Sequence, residues 1–180
     1  MTIRVVERGA DDIPDLVGAI DRSEHIEHEY EVVDGVLRER PPTMTDIPDW
    51  SHDGDGDFTV AKQVRFCRSV VARGGEVIAA LDGDDMMGFV IVVPRFEPPL
   101  AWLAWLHVSR PHRRKGAASA LWAEAVRRAR DAGATSLYVS AVPTDSALGF
   151  YFSRGCVLAD PPHPELFADE PDDIHLVCPL

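Results

Sequence analysis

Leu100–Val108 reads LAWLAWLHV and carries no Asp, Glu, Lys or Arg. Continuous apolarity over so short a run predicts a central strand buried on both faces, not a strand with one wet side. The run is too short to cross a bilayer, and so is Phe89–Val93, since a spanning helix needs about 20 apolar residues. A doubly buried strand constrains the rest of the chain to supply covering layers, which points to an α/β architecture.

The rest of the sequence reads in those terms. Ile3 and Val5 predict a first strand, and Asp11-Asp12 a cap for a helix with Ile13, Leu16, Val17 and Ile20 on one face. That helix is expected to continue through the acidic stretch Glu24–Glu31. From Asp34 to Asp57, Pro41, Pro42, Pro48 and SHDGDGD predict one long loop. Phe58–Arg73 returns to helical spacing and Gly74-Gly75 ends it. Glu76–Leu81 and Met87–Val93 read as a hairpin turning at Asp82–Asp85. Gly116–Ala132 is a helix with Ala117, Ala120, Leu121, Ala125 and Ala129 inward. Leu137–Val142, Asp145–Arg154 and Ile174–Val177 follow as strand, helix and strand. The order is β-α-α-β-β-β-α-β-α-β, with no internal repeat: a mixed α/β sheet, expected as one domain over residues 1–180.

Bulk properties exclude some partners. With His neutral the 180-residue chain carries a net charge of −12, so nucleic-acid phosphates and anionic lipid repel it and cationic small molecules are attracted. The sequence starts MTIRVVERGADD, without the apolar run of a secretory signal. Cys67, Cys156 and Cys178 are odd in number and far apart, which fits free thiols in a reduced, cytoplasmic setting.

The chemistry concentrates in Arg113-Arg114-Lys115-Gly116-Ala117-Ala118, between the buried strand and a helix. A helix N-terminus offers unpaired N–H groups and the positive end of its dipole. Gly116 lets the backbone approach an anion, and the alanines keep the first turn narrow. A diphosphate fits such a place; so, taken alone, does a solvated basic helix start. Neither GxxxxGK[ST] nor GxGxxG is present.

The flanks decide between them. LHVSRPHRRKGAASAL resembles the phosphate loop of the GCN5-related N-acetyltransferase (GNAT) superfamily, [RQ]xxGx[GA], with Arg113, Gly116 and Ala118 at the matching positions. Downstream, Ala147, Tyr151, Gly155 and Cys156 match that family's A-x-x-x-Y-x-x-x-G-F/C helix. The resemblance covers roughly Gly75–Cys156. It implies a mostly antiparallel central sheet flanked by helices, with two parallel strands, Leu100–Val108 and Leu137–Val142, splaying apart around acetyl-CoA. Main-chain groups at Leu106, His107 and Val108 would meet the pantetheine arm, and Arg113, Arg114, Lys115, Gly116, Ala117, Ala118 and Ser119 the pyrophosphate. The family often has Asn seven residues before the tyrosine; here Thr144 stands there and offers a hydroxyl. The resemblance further implies direct attack of a primary amine on the thioester. Tyr151, with an ordinary pKa of about 10, would give the leaving thiolate its proton. The acceptor is a small-molecule or peptide amine, and homodimers are common in the family. The competing class is an acyl-CoA-binding module without turnover.

A general base is not visible. The strand where many members carry Glu reads AWLAWLH, which leaves His107, able in principle to titrate near neutrality, or a water relay to a loop carboxylate. Glu24, His25, Glu27, His28 and Glu29 read as a solvated acidic helix and not as a metal site. Asp53, Asp55 and Asp57 lack the glycine and closing Glu of a calcium loop, so no metal is expected. The acidic stretch 24–57 is a candidate border of the acceptor site, and Trp50 within it a candidate substrate contact.

Overall fold

The computed structural model describes residues 2–180. In chain order the elements are β1 (Ile3–Arg8), α1 (Ile13–Gly18), β2 (Glu24–His25), β3 (Glu29–Val33), β4 (Val36–Arg40), β5 (Asp46–Ile47), α2 (Val60–Ala72), β6 (Glu76–Asp82), β7 (Asp85–Glu97), β8 (Leu100–Val108), α3 (Ala117–Asp131), β9 (Ser136–Ala141), α4 (Asp145–Phe152), β10 (Val157–Leu158), α5 (Pro164–Asp169) and β11 (Ile174–Pro179). A seven-stranded sheet runs β1-β6-β7-β8-β9-β11-β10. It is antiparallel except where β8 meets β9. The mixed, mostly antiparallel sheet expected from the sequence is therefore present.

β7 shows why the centre is apolar throughout. Phe89 and Ile91 point to one face, with Ile13, Val17, Cys67 and Val70 of α1 and α2. Val90 and Val92 point to the other, with Leu121, Ala125 and Ala129 of α3. All four strand residues are fully buried, so the period-two alternation serves two cores at once. Removing a Leu121-sized side chain from water contributes about 1.5–3 kcal/mol. Thr59 starts α2 by accepting the Lys62 N–H on its side-chain oxygen. No helix among the described residues is long and apolar enough to cross a membrane.

Three expectations are corrected. The first helix ends at Gly18, and Glu24–Glu31 holds β2 and the start of β3 with a bend at 26–28 between them, not helix. Tyr30, Val32 and Val33 favour extended backbone, and β3 pairs with β4 through Asp34-Gly35, both left-handed (φ 53° and 75°). An Asp-Gly pair between apolar residues is a strong hairpin signal, so 34–57 is not one loop. His25 and His28 are exposed and each lies against a carboxylate, Asp46 and Glu39 respectively. Glu29 is buried and ion-paired to Arg40. Finally, the thiols are not all free. Val157 lies opposite Val177 in the register of β10 and β11, and the flanking Cys156 and Cys178 are joined in a disulfide. Cys67 alone stays free, buried in the core.

Candidate functional site

The site begins where β8 and β9 separate. Their parallel pairing runs from Leu100↔Ser136 to Leu103↔Val139 and stops. On the other edge of β8, Ile91 pairs with Trp105 and Val92 with Leu103, so Ala104 is an extra residue without a partner. Such a bulge bends its strand and increases the local twist. β8 continues to Val108 alongside β7 while its opposite edge, Trp105–Val108, leaves β9 behind. The result is a wedge with strand-edge N–H and C=O groups along one side.

The wedge leads into the turn Ser109–Gly116. Arg114 (φ 60°) and Gly116 (φ 93°) are both left-handed, a conformation that costs a non-glycine residue about 1 kcal/mol or more. Alternating handedness of this kind turns backbone N–H groups toward one concavity. Gly116 caps α3 without a side-chain bond, and Ala120 is the first residue to donate back, to the Gly116 carbonyl. The N–H groups of Ala117, Ala118 and Ser119 therefore remain open to an anion. Arg114 and Lys115 are exposed beside them.

Arg113 is used differently. Its guanidinium donates to the carbonyls of Val108 (3.2 Å), Ser23 (3.2 Å) and Arg22 (2.9 Å) and lies 3.4 Å from Glu24. The Asp21 N–H donates to the Ser109 hydroxyl and the Arg110 N–H to the Asp21 carbonyl. Residues 21–24 are thus fastened to the turn. A cation that the sequence did not single out takes a place near α3: Arg154, at the end of α4, donates to the Ser119 hydroxyl (2.8 Å) and stacks on Phe150.

Beyond the wedge lies a cleft of about 650 Å³ with β8 as its floor. Trp50, Phe58 and Phe66 form one side, the end of β9 and Tyr151 another, and Asp169–Asp173 a third. Tyr151 is 6 % exposed. Burial, and the nearby Asp173 charge, push its hydroxyl well above the ordinary tyrosine range, so it stays protonated. His107 packs on Trp50 and Trp105. Burial, then the charges of Arg22 and Arg113, lower it to about 3. It is a neutral imidazole at neutral pH and does not titrate there, contrary to one sequence expectation. Thr144 is buried to 2 % exposure at the head of α4, its hydroxyl against that of Ser146. A second hollow, of about 510 Å³, lies among Arg95, Arg127 and Arg128 and contains none of these groups.

Residues 37–156 match the model of a family described as Acetyltransferase (GNAT) family. The chain belongs to that family. Its fold is shared by solved GNAT-type structures across the whole length. Nourseothricin acetyltransferase superposes with a TM-score of 0.72 at 20% identity, covering 99% of both chains. A streptothricin acetyltransferase described as putative, from Bacillus anthracis str. Ames and in complex with acetyl coenzyme A, gives 0.68 at 14%, covering 100% of this chain and 99% of that one. PaiA N-acetyltransferase from Thermoplasma acidophilum, in complex with coenzyme A, gives 0.65 at 13%, with both chains fully covered. No curated protein matches in sequence.

In this GNAT chain, Leu106, His107 and Val108 line the wedge, and Arg114 through Ser119 follow at its open end. Tyr151 opens on the cleft beyond. The segment the sequence reading passed over is Asp169-Glu170-Pro171-Asp172-Asp173, a charge run in plain view. Burial raises Glu170, and burial with the charges of Glu170 and Asp172 raises Asp173 to about 7. A buried chain of hydrogen bonds holds this segment. The Glu170 carbonyl can only accept, so His175 donates to it from Nε2 (2.9 Å). Nδ1 then accepts from the Tyr138 hydroxyl (2.9 Å), whose oxygen accepts the His163 N–H (2.8 Å). Each group of the chain is satisfied. No cluster of three or more His, Cys, Asp or Glu able to hold a metal occurs among the described residues.

Proposed function

We propose that the chain transfers the acetyl group of acetyl-CoA to a primary amine. The observation that carries this reading is the continuity of wedge and turn: a bulge at Ala104 frees the Trp105–Val108 edge, which runs into the left-handed Arg114 and Gly116 and the open N-terminus of α3. An extended pantetheine arm suits the strand edge, and a pyrophosphate suits the N–H groups of Ala117–Ser119. Arg114, Lys115 and Arg154 would add positive charge there, while Arg113 acts through its hold on residues 21–24. Two structural neighbours were solved with acetyl coenzyme A or coenzyme A. Acetyl-CoA supplies an activated thioester and a thiolate leaving group.

The chain's residues then have distinct tasks. A strand-edge N–H of β8 polarises the carbonyl as an oxyanion donor. Tyr151, protonated at rest, gives its proton to the departing thiolate and regains one from the nitrogen, which sheds it as the C–N bond forms and the C–S bond breaks. An attacking amine must first lose a proton, its ordinary pKa being about 10. Asp173, half-buried and near 7, takes that role in the cleft.

The test is thiol release from acetyl-CoA over an amine panel, run with thermal shift. Release with at least one amine, together with stabilisation by acetyl-CoA, is expected. Tyr151→Phe should lower kcat by roughly 10²-fold while keeping the thermal shift. Stabilisation without release on any amine favours a binding module, and no stabilisation removes the donor assignment.

A further inference from the structure

The cleft carries charge of both signs, and pairing separates them. Arg22 donates to the Pro48 carbonyl and stacks on Trp50 and Phe58. Lys62 is 3.4 Å from Asp57, and Arg73 is 2.8 Å from Glu165. Lys62 and Arg73 are therefore paired with carboxylates, and Arg22 is held by a carbonyl and two rings. Among the described residues, Asp169, Glu170, Asp172 and Asp173 have no ion-pair partner, although all four line the same wall within one short segment. Negative charge held together without a counter-ion costs self-repulsion that a bound cation would remove.

A buried hydroxyl also points to a ligand in this cleft. Tyr151, 6 % exposed, lines the cleft near Asp173, and its hydroxyl makes no hydrogen bond among the described residues. Buried polar groups of this kind are ordinarily satisfied.

Building on the acetyl-transfer reading, we infer that the acceptor carries at least two positive charges, one amine presented at Tyr151 and Asp173 and a second cationic group held by Asp169, Glu170 and Asp172. The aromatic wall of Trp50, Phe58 and Phe66 suits the methylene stem between the two charges. A monoamine of equal length fills the reactive position and leaves the outer carboxylates unpaired, so it binds more weakly.

Cadaverine and pentylamine, of equal chain length, separate the two cases. Binding is measured first by calorimetry without acetyl-CoA, and then kcat/KM by thiol release. Cadaverine should bind at least tenfold more tightly and show at least tenfold higher kcat/KM. The double variant Glu170→Gln/Asp172→Asn should bring the two amines within about threefold of each other, mainly through KM for cadaverine. Asp84→Asn, an exposed turn residue away from the cleft, should leave the preference intact. Equal binding of the two amines by the wild type, or a preference that survives in the double variant, overturns the dication site. Tight cadaverine binding that the double variant loses, with no thiol release from any amine, supports the dication site and refutes acetyl transfer instead.

Discussion

An alanine at Gly88 drives its Cβ into the His107 carbonyl oxygen and places it 2.8 Å from the Val108 Cα and 3.0 Å from the Val108 Cγ2. Gly88 faces Val108 in the register of β7 and β8, so the close approach falls on the end of β8 that forms the wedge. The two nearest atoms are backbone, and no rotamer change relieves them. Ordinary contact begins near 3.4 Å, which requires β8 to move by about 1 Å. Overpacking of a core costs about 1–3 kcal/mol. The upper half of that range applies when backbone must shift, and for a chain of this size it lowers Tm by roughly 4–12 °C. A misplacement of about 1 Å in a reacting group can cost roughly 10²-fold in rate. Gly88→Ala should therefore combine a Tm loss of that order with at least a tenfold fall in kcat/KM and a diminished thermal shift by acetyl-CoA. Gly149→Ala is the matched control: its Cβ meets nothing within 4 Å and it sits in α4, so it should leave Tm unchanged or raise it by a few degrees. If Gly88→Ala loses less than about 2 °C and keeps kcat/KM within threefold, the tight β7–β8 approach does not set the geometry of the wedge.

Two further outcomes follow from the buried groups around the cleft. Asp173 is raised to about 7 by burial and by Glu170 and Asp172, while an unfolded Asp titrates near 4, so between about pH 4 and 7 the folded chain holds a proton that the unfolded chain has lost. Stability from this group therefore falls as pH rises through that window and stays low above it. Asp173→Asn should melt above wild type at pH 8 and level with it near pH 4, by calorimetry at both values, and an unchanged difference between the two pH values contradicts the reasoning. Tyr138→Phe strips the partner from the His163 N–H and leaves His175 Nδ1 only the longer contact with the Ser140 hydroxyl (3.4 Å). At about 1–3 kcal/mol for a buried group left unpaired, denaturant unfolding should show a loss in that range, and a loss under about 0.5 kcal/mol would show that the chain does not hold the segment.

The wedge and turn proposed for the donor were legible because they are local. One contiguous stretch, Leu100–Ser119, supplies the strand edge, the turn and the helix start, and the glycine and alanines that shape them can be read in order. Even there, two features depended on distant partners. The bulge at Ala104 exists only against the register of β7. The inward turn of Arg113 exists only because residues 22–24 pass beneath it. The first half of the chain was misread for a different reason. Glu24–Glu31 is polar enough for a solvated helix, and the Asp34-Gly35 turn that makes it a hairpin was absorbed into a presumed loop.

The cleft proposed for the acceptor could not be read in the same way, and the reason is topological. Asp169–Asp173 is a charge run whose ordinary meaning is a solvated surface. It becomes part of a cleft because β11 pairs with β9, and β9 in turn stands beside β8 only as far as Val139. The same splay that opens the donor wedge leaves a gap, and the segment leading into β11 closes one side of it. His175 sits on β11 opposite Ser140 and reaches back to the Glu170 carbonyl, so strand order and hydrogen bonding set the position of the acidic residues together. Burial then does what the sequence alone could not indicate: it raises the proton affinity of Asp173 and keeps Tyr151 protonated. A carboxyl able to accept a proton near neutrality and a hydroxyl that stays protonated thus line a single cleft, the first proposed for the amine and the second for the sulfur. Both shifts run upward from one main cause, the withdrawal of water, and they lead to different protonation because the ordinary values of an acid and a phenol stand on either side of neutral.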